Sequence, residues 1–379
     1  MFSTLPIVSH STSDIIVVGA GIIGCAIADE LARRGASVDI VDDRPIAMGA
    51  TQASAGILAP FIEAREGNPL LELAVRSLEL YDDFMNRVAS TGTAVAYRRT
   101  GTLDVALDER DLETLRTTAS VLERRGVPAL MLDAARTRAE EPHLADGALG
   151  ALLIEVHGFV AAADLARALV AAARRNGAQL IEPTRVRTIA WRHGEMVVAT
   201  DKGSLSAGAV VLAAGSWSAE IAIEGVSQKP PIRPVRGQLL HLGWKGVPLR
   251  RVTWSSRCYL VPWDDGTVLV GATAEDAGFD ERATVAGVSD LLEAVCDLTP
   301  HAWSAGFNGA RVGLRPGTTD GLPIIGASQR LPNLMYATGH FRNGILLAPL
   351  TAALVADALL ENRIDPMLAK VSPARFGEL

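Results

Sequence analysis

Three glycines with a regular spacing follow the first apolar run of the chain. Asp14-Ile-Ile-Val-Val leads into Gly19-Ala-Gly21-Ile22-Ile23-Gly24, and Ile22 to Arg34 has the pattern of a helix. In such a strand–glycine–helix segment the first glycine permits a tight turn, the second lets a pyrophosphate approach the backbone, and the third lets the helix pack on the sheet. The helix N-terminus adds N–H groups and a partial positive charge. The spacing therefore predicts a dinucleotide site.

An acidic residue ends the next apolar run. Ser37 to Asp42 reads as a second buried strand, and Gly35 before it is placed to end the helix. Asp42 lies about 20 residues beyond the glycines, where an acceptor for the ribose hydroxyls is expected. Asp43 is the neighbouring alternative, but strand alternation favours Asp42. The other interpretation of the whole unit is a tight strand–helix turn that binds nothing.

A second apolar strand ends in glycine further along the chain. Ala209-Val-Val-Leu-Ala-Ala214-Gly215-Ser-Trp217 is typical of a strand that ends against the nucleotide in many flavoproteins. The alternative is a buried strand and turn with no ligand. The glycine loop alone cannot separate NAD from FAD, whereas this strand and the later motifs favour FAD.

The elements that must position these residues are spread along the chain. Helices are predicted at Leu70–Val88, at Leu112–Arg125, from an N-cap at Asp164 to Asn176, and from about Leu346 to Leu360. Strands are predicted at 102–106 and 150–154, and a hairpin over Arg257–Pro262 and Thr267–Thr273. Nucleotide-type segments come first, in the middle and last, with β-rich segments between them. We therefore expect an α/β fold with two interleaved domains.

The predicted boundaries follow from this order. A Rossmann-like nucleotide-binding domain is expected at 14–60, 159–231 and 312–379, and a β-sheet-rich (α+β) substrate-binding domain at 61–158 and 232–311. Residues 1–13 read as a polar tail.

Composition excludes several classes of protein. The 379 residues are 49% hydrophobic and 21% charged, which is unlike disordered or collagen-like chains. A formal net charge of −7 argues against nucleic-acid binding. The three cysteines, Cys25, Cys258 and Cys296, are too far apart to suggest a disulfide framework or a metal site.

The termini and apolar runs bear on localisation. The first 14 residues lack the basic and apolar regions of a signal peptide. The longest apolar run, from Gly344 to Ala356, is too short for a membrane span and contains Pro349. A cytoplasmic protein without a membrane span is expected, and a homo-oligomer stays open.

Four motifs in the same order resemble the glycine oxidase and D-amino-acid oxidase family of FAD enzymes, over Asp14 to about Leu360. They are Ala50-Thr51-Gln-Ala-Ser54-Ala-Gly56-Ile57, Cys258-Tyr259-Leu-Val-Pro262, Gly313-Leu-Arg315-Pro-Gly-Thr-Thr-Asp320-Gly-Leu-Pro-Ile-Ile-Gly326, and Ala337-Thr-Gly-His340-Phe-Arg342-Asn-Gly344-Ile-Leu-Leu-Ala-Pro349. The last motif is similar to the bacterial glycine oxidases of thiamine biosynthesis. The resemblance implies FAD in the nucleotide-binding domain.

Reduced flavin carries extra negative charge near N5 and its pyrimidine oxygens, and backbone amides can stabilise it. Glycine-rich or small-residue loops at 339–345 and 51–57 suit that task. Packing loops of small residues are the alternative interpretation. Together with the resemblance, the motifs predict FAD contacts at Gly19, Gly21, Ile22, Ile23, Gly24, Asp42, Asp43, Thr51, Ser54, Ala55, Gly56, Val186, Ala214, Gly215, Trp217, Gly339, His340, Arg342, Asn343, Gly344 and Ile345.

The resemblance also implies which residues bind an amino-acid substrate. Arg315 matches the arginine that binds the substrate carboxylate, and a guanidinium can do so with two hydrogen bonds. Tyr259 can donate to the same carboxylate, and Arg342 is placed near the flavin and the substrate amine. The alternatives are an ion pair of Arg315 with Asp320, a core tyrosine, and a structural arginine. His340 is expected to be an anchor because the chemistry needs no base.

Two departures from the family pattern qualify the resemblance. No cysteine lies in the Gly313–Asp320 segment, where sarcosine oxidase relatives carry a covalent flavin link, so FAD is expected to be noncovalent. Ile57 and Ala274 stand where the best-known glycine oxidases have larger methionines. The smaller Ala274 weakens the expectation of strict glycine preference.

The reaction implied is oxidation of glycine or another small amino acid. Hydride would pass from Cα to flavin N5, the imine would hydrolyse to a 2-oxo acid and ammonia or an amine, and dioxygen would reoxidise the flavin and yield hydrogen peroxide. One alternative is a D-amino-acid or sarcosine-type dehydrogenase that uses a quinone or carrier protein. Another is a flavin-binding protein without catalysis. An NAD-dependent dehydrogenase would leave the later motifs without a role.

Overall fold

Twenty β-strands form three sheets in the part of the chain that the computed structural model describes, residues 13–62, 68–331 and 333–379. In chain order the strands are β1 Ser13–Val18, β2 Val38–Val41, β3 Ile57–Leu58, β4 Tyr97–Arg98, β5 Thr102–Ala106, β6 Ala129–Asp133, β7 Gly150–Ile154, β8 Gly158–Val160, β9 Gln179–Ile181, β10 Val186–Arg192, β11 Glu195–Thr200, β12 Gly203–Leu212, β13 Ala222–Ile223, β14 Ile232–Gly243, β15 Val252–Trp254, β16 Tyr259–Pro262, β17 Thr267–Gly271, β18 Gly306–Thr318, β19 Ile324–Ala327 and β20 Leu334–Thr338.

Nine α-helices connect these strands within the described residues. They are α1 Ile22–Arg33, α2 Pro69–Glu79, α3 Tyr81–Ser90, α4 Glu109–Arg124, α5 Ala134–Glu140, α6 Ala162–Arg175, α7 Val285–Leu298, α8 Gly344–Leu360 and α9 Leu368–Val371. The single helix predicted at Leu70–Val88 is wrong, because the chain breaks at Leu80 into α2 and α3. Asp164 is not the N-cap of α6 but lies in its first turn, where a negative charge also suits the helix dipole.

The nine-stranded sheet carries the predicted β-α-β unit. Its parallel centre runs β9, β2, β1, β12 and β20, with β10, β11 and β13 extending one side and β19 pairing with β20. The helices α1, α6 and α8 contribute to a buried core whose side chains are almost entirely apolar. Parallel strands covered in this way need continuous apolar runs, which is why β1 and the end of β12 were recognisable in the sequence.

The eight-stranded sheet supplies the opposite wall of the site. Its order is β18, β14, β17, β16, β15, β5, β7 and β6, and the first four strands are antiparallel neighbours. The predicted hairpin is confirmed as β16 and β17. A separate core packs α7 on this sheet. The small third sheet joins β3, β8 and β4.

The predicted mixed α/β fold, with one sheet of Rossmann-like type and one β-rich part, is confirmed. The domain boundaries stay a prediction, and β18 runs across the one predicted between residues 311 and 312. Residues 1–12 of the predicted tail lie outside the described residues, and Ser13 begins β1.

Candidate active site

A cavity of about 610 Å³ lies where loops of the nine-stranded sheet face the eight-stranded sheet. Most of the predicted site residues line it: Gly19, Gly21, Ile22, Ile23, Asp42, Asp43, Thr51, Ser54, Ala55, Gly56, Ile57, Val186, Ala214, Gly215, Trp217, Tyr259, Ala274, Arg315, His340, Arg342, Asn343, Gly344 and Ile345. Residues from far-apart segments are thus brought to one space. Two predicted residues, Gly24 and Gly339, lie behind the wall and shape the loops that form it.

The glycine loop joins β1 to α1 with little room to spare. Gly19 has φ +113°, and a Cβ there would lie 2.4 Å from the Ala213 carbonyl oxygen. A Cβ at Gly24 would lie 1.9 Å from the Gly19 carbonyl oxygen. A Cβ at Gly21 would meet only the Thr51 hydroxyl, at 3.6 Å, so its Cα faces the cavity. The third glycine therefore serves packing, and the second keeps space open for a ligand.

The N-terminus of α1 has the electrostatics of an anion site. The first turn contains no acidic residue, and no side chain of Gly21, the N-cap residue, can accept from it. The Ile22 N–H donates to the Thr51 hydroxyl at 3.0 Å. The positive end of the helix dipole therefore faces the cavity without a carboxylate of its own to neutralise it.

The two candidate acids differ in their surroundings. Asp42 accepts hydrogen bonds from the backbone N–H of Ala20 at 2.6 Å and of Arg44 at 2.8 Å, and burial raises its pKa. Asp43 pairs with Arg185 at 2.9 Å and is more exposed to solvent. Each carboxylate oxygen can accept more than one hydrogen bond, so Asp42 can hold the glycine loop and still accept from a ligand. Its ribose contact stays a prediction.

An aromatic wall near these acids was missed in the sequence. The Arg44 guanidinium lies 4.2 Å from the centre of the Trp217 ring, and Trp217 is 5.8 Å from the Phe279 ring. Arg44 also pairs with Glu281 at 2.8 Å. Only Trp217 was predicted, because the other three residues come from loops with no recognisable motif. These contacts join the loop after β2 to the loop after β17.

The two loops of small residues approach the cavity at positions that require glycine. Gly56 has φ +72°, and a Cβ there would lie 1.7 Å from the Val160 carbonyl oxygen. Gly339 has φ +75°, and its Cβ would lie 2.6 Å from the Thr318 side chain. Beyond Gly339 the chain enters α8 at Gly344, so the N-terminus of a second helix also faces the cavity.

His340 has the character of an anchor. Its Nε2 lies 3.1 Å from the Thr351 hydroxyl on α8, and its side chain is buried. Burial lowers the pKa of His340 to about 3, because the charged imidazolium would lose its hydration. The contact with Thr351 ties the loop to α8, and the role of His340 as an anchor and not a base stays a prediction.

Arg315 and Tyr259 meet at the other end of the cavity. Arg315 lies within β18, and its Nη1 donates to the Thr273 carbonyl oxygen at 2.8 Å. The Tyr259 hydroxyl lies close enough to this guanidinium to favour its charged form. Burial lowers the pKa of Arg315 and raises that of Tyr259. The alternative partner Asp320 pairs instead with Arg375, at 2.7 Å.

The other residues described here around Arg315 and Tyr259 are apolar or cationic. Arg342 lies close enough to Arg315 to disfavour its charge, and its guanidinium is 5.5 Å from the Phe341 ring. Ile57 and Ala274 line the cavity, and their contact with a substrate stays a prediction. Trp254 was missed, although it packs against Tyr259 with ring centres 4.8 Å apart. The strand that carries it, β15, is only three residues long and has no motif.

The described residues contain no group of three side chains placed to hold a metal ion. Among them, no helix has the length and apolarity to cross a membrane. No cysteine lines the cavity in this part of the chain.

Comparison with known proteins adds a family and relatives. The family model described as FAD dependent oxidoreductase (DAO) matches residues 14–358. The protein named glycine oxidase of Geobacillus kaustophilus is 36% identical over 348 residues, covering 91% of this chain and 92% of that protein. The crystal structure of glycine oxidase from Geobacillus kaustophilus superposes with a TM-score of 0.92 at 34% identity, over 96% of this chain and 99% of that one.

A longer relative matches only in part. The protein named bifunctional protein ThiO/ThiG of Nostoc sp. is 36% identical over 365 residues, which cover 94% of this chain and 54% of that protein. The chain therefore spans about half the length of that relative.

Proposed function

The chain belongs to the DAO family of FAD-dependent oxidoreductases, and from that premise we propose that it oxidises a small amino acid at Cα to a 2-oxo acid, ammonia or an amine, and hydrogen peroxide. The partly buried guanidinium of Arg315 carries the proposal. A cation removed from water is costly unless an anion compensates it. Glu275 lies near enough to favour the charge of Arg315, but no carboxylate of the described residues accepts a hydrogen bond from it. A substrate carboxylate would supply that anion.

The cavity fits the cofactor of the family. The open face of Gly21, the unneutralised helix end at Ile22 and the acid at Asp42 suit a diphosphate and a ribose. The glycine-containing loop at 339–345, which leads into α8 and can offer backbone N–H groups, lies at the Arg315 end of the same cavity. Because no cysteine of the described residues lines the cavity, a noncovalent FAD is favoured.

When bound, FAD would supply the hydride acceptor and the redox chemistry with dioxygen. The chain's own task is to bind and orient. Arg315 would hold the carboxylate with two donors, and Tyr259 would add a hydroxyl donor to the same group. With the carboxylate fixed, the apolar wall of Ile57 and Trp254 limits how the Cα–H can turn. We assign no proton transfer to His340, whose ring is bonded to Thr351, and expect the substrate amine to bind deprotonated.

One experiment separates an oxidase that uses dioxygen from a dehydrogenase and from a flavin-binding protein without catalysis. A panel of glycine, D-alanine, sarcosine, D-proline and L-alanine is added to the purified holoenzyme without oxygen, and the flavin absorbance is followed. Bleaching by the small amino acids, followed by stoichiometric peroxide when air is admitted, supports the oxidase. Bleaching with slow reoxidation in air, but fast reoxidation by a quinone, would make it a dehydrogenase. No bleaching with any amine would favour a flavin-binding protein without catalysis.

Residue 274 is proposed to set the preferred substrate size. Ala274 leaves a shorter wall than methionine, and a hydrophobic pocket discriminates one methylene by only ~1–3 kcal/mol. We expect glycine to be turned over, with kcat/KM equal or higher for D-alanine, sarcosine or D-proline. Ala274→Met should move the ratio back toward glycine by roughly 5–150-fold. L-alanine should fail with both proteins, because its Cα–H points away from the acceptor. Unchanged ratios would remove residue 274 from the substrate wall.

We also propose a role in thiamine biosynthesis, which the last sequence motif and the ThiO/ThiG relative support. The chain, expressed in a bacterium that lacks its own glycine oxidase and requires thiamine, should restore growth. Its Arg315→Ala variant should not. Growth that fails with the active enzyme would separate the reaction from this pathway.

A further inference from the structure

Four neighbouring strands of the eight-stranded sheet form the floor beneath the proposed carboxylate site. Their order is β18, β14, β17 and β16. Arg315 lies on the first and Tyr259 on the last, so two strands separate them. The strands between carry Gly237 on β14 and Gly271 on β17. Arg315 and Tyr259 nevertheless reach each other, because their side chains lie across these two glycines.

Gly237 lies directly beneath the guanidinium of Arg315. A Cβ at residue 237 would lie 2.3 Å from Cζ, 2.3 Å from Nη1 and 2.4 Å from Nη2. Three nearly equal distances mean that the guanidinium plane lies flat on this position. Gly237 pairs with Gly313 in the register of β14 and β18, and Arg315 is two residues further along the same face. The side chain therefore lies diagonally across its neighbouring strand.

Gly271 has the same relation to Tyr259. It is the direct cross-strand partner of Tyr259, and its Cβ would lie 2.3 Å from both Cζ and the hydroxyl oxygen. The same Cβ would lie 2.4 Å from the Leu239 side chain. The end of the phenol ring thus lies over Gly271.

A left-handed backbone does not explain these glycines, because neither has a positive φ. A glycine inside a strand weakens it, and a common reason for accepting that cost is the close approach of another group. Here the approaching groups are the two side chains that would hold the substrate carboxylate.

We propose that Gly237 and Gly271 are positioning residues, which form a floor that fixes Arg315 and Tyr259 in the orientation needed to bind a carboxylate. That the two side chains bind a carboxylate rests on the proposed function. Their positions over the two glycines do not depend on it. Even one methyl group at residue 237 would force the guanidinium off the floor and away from the Thr273 carbonyl. A displacement of about 1 Å in a positioning group can cost about 100-fold in rate.

The test uses the holoenzyme and the smallest substitution. Gly237→Ala and Gly271→Ala should keep FAD and raise both the KM for the preferred amino acid and the Kd of glycolate, an unreactive carboxylate, read from the visible flavin spectrum. We expect kcat/KM to fall by about 100-fold for Gly237→Ala. Gly243→Ala is the matched control, since it lies on the same strand and its Cβ would meet the Asn308 side chain at 3.4 Å and the Gly306 carbonyl oxygen at 3.8 Å, without a clash. Gly237→Ala within twofold of this control would overturn the proposal.

A second measurement separates positioning from general damage to the sheet. In an Arg315→Ala background, Gly237→Ala should add less than threefold to the loss of glycolate affinity and should no longer lower the melting temperature, because the overlying guanidinium is gone. Tyr259→Ala should relieve only part of the clash at Gly271→Ala, because the Leu239 side chain would still lie 2.4 Å from the new Cβ. If Gly237→Ala lowered the melting temperature equally in the wild-type and Arg315→Ala backgrounds, the proposal would be contradicted.

This design also distinguishes the proposal from the proposed function. If the wild type binds no carboxylate and oxidises no amino acid, the proposed function fails. The melting temperatures of Gly237→Ala with and without Arg315→Ala would still show whether the floor holds Arg315.

Discussion

At the scale of single residues, the site depends on a cation with few partners. Arg315 donates to the Thr273 carbonyl and meets the Tyr259 hydroxyl, and neither partner carries a negative charge at neutral pH. The sequence indicated Arg315 through its motif, and Tyr259 likewise. It did not indicate Trp254 or Thr273, because their part in the site comes only from pairing of distant strands. Motif residues could be predicted, whereas the residues that surround them could not.

Removing the guanidinium should therefore affect substrate binding more than cofactor binding. Arg315→Ala is expected to keep FAD and to lower kcat/KM by roughly 30-fold to several thousand-fold, since truncating one member of a buried charge pair costs about 2–5 kcal/mol. Arg315→Lys should recover only part, because an ammonium cannot replace the planar fork. Tyr259→Phe should be milder. Steady-state kinetics and the flavin spectrum of each variant measure this, and a loss under threefold for Arg315→Ala would place the carboxylate elsewhere.

At the scale of elements, local sequence patterns predicted where strands and helices lie in the chain better than they predicted which strands pair with each other. The β-α-β unit from β1 to β2 and the hairpin of β16 and β17 were predicted because their apolar runs and turns are contiguous. The break at Leu80 was missed, since the apolar pattern continues through it. The pairing of β14 with β18, more than 60 residues apart, has no local signal, and the glycine floor depends on it.

The loop between β1 and α1 gives a prediction that separates folding from cofactor binding. Gly21 has φ −75°, and a Cβ there has room within the protein, so Gly21→Val should fold. Its side chain would fill the space of the diphosphate and raise the Kd for FAD by at least ~100-fold. Gly24→Ala is the contrasting variant, because its Cβ would strike the Gly19 carbonyl and destabilise the apoprotein itself. Flavin content and apoprotein melting temperatures distinguish the two, and Gly21→Val with full FAD would exclude this loop from the site.

At the scale of the whole molecule, buried histidines couple stability to pH. Burial lowers the pKa values of His157 and His340 to about 3, against an ordinary value near 6.5. Between these values the unfolded chain binds more protons than the folded one, so their contribution is complete above pH 6.5 and is lost as the pH falls toward 3. Asp104 opposes this, because burial raises its pKa to about 7 and its folded form holds the extra proton.

The consequence can be measured on one histidine. His157 is bonded to Thr102 at 2.8 Å and to the Phe61 N–H at 3.3 Å, so His157→Gln should lower stability at pH 7. Its stability should then fall less steeply between pH 6.5 and 4, by about 1.4 kcal/mol per pH unit relative to the wild type. The exposed His193→Asn is the control and should keep the wild-type slope. Parallel curves for His157→Gln and the wild type would contradict the assignment of a neutral, buried His157.

An ion pair beside the cavity also joins loops of the two large sheets. Arg44, which follows β2, forms two hydrogen bonds of 3.0 and 2.8 Å with Glu281, which follows β17, while it stacks on Trp217. Both partners of the ion pair are about one-third exposed, so the pair should contribute only ~0.2–1 kcal/mol and respond to salt.

Since this contact joins two walls of the FAD cavity, we expect Glu281→Gln to speed FAD dissociation by about 1.5–5-fold at low ionic strength, with the difference shrinking at high salt. The recovery of flavin fluorescence after dilution into a trap for free FAD measures the rate. Asp164→Asn, which breaks the Asp164–Arg167 pair on α6, is the matched control and should leave the rate unchanged. A Glu281→Gln rate equal to this control at every salt concentration would show that the contact does not retain the cofactor.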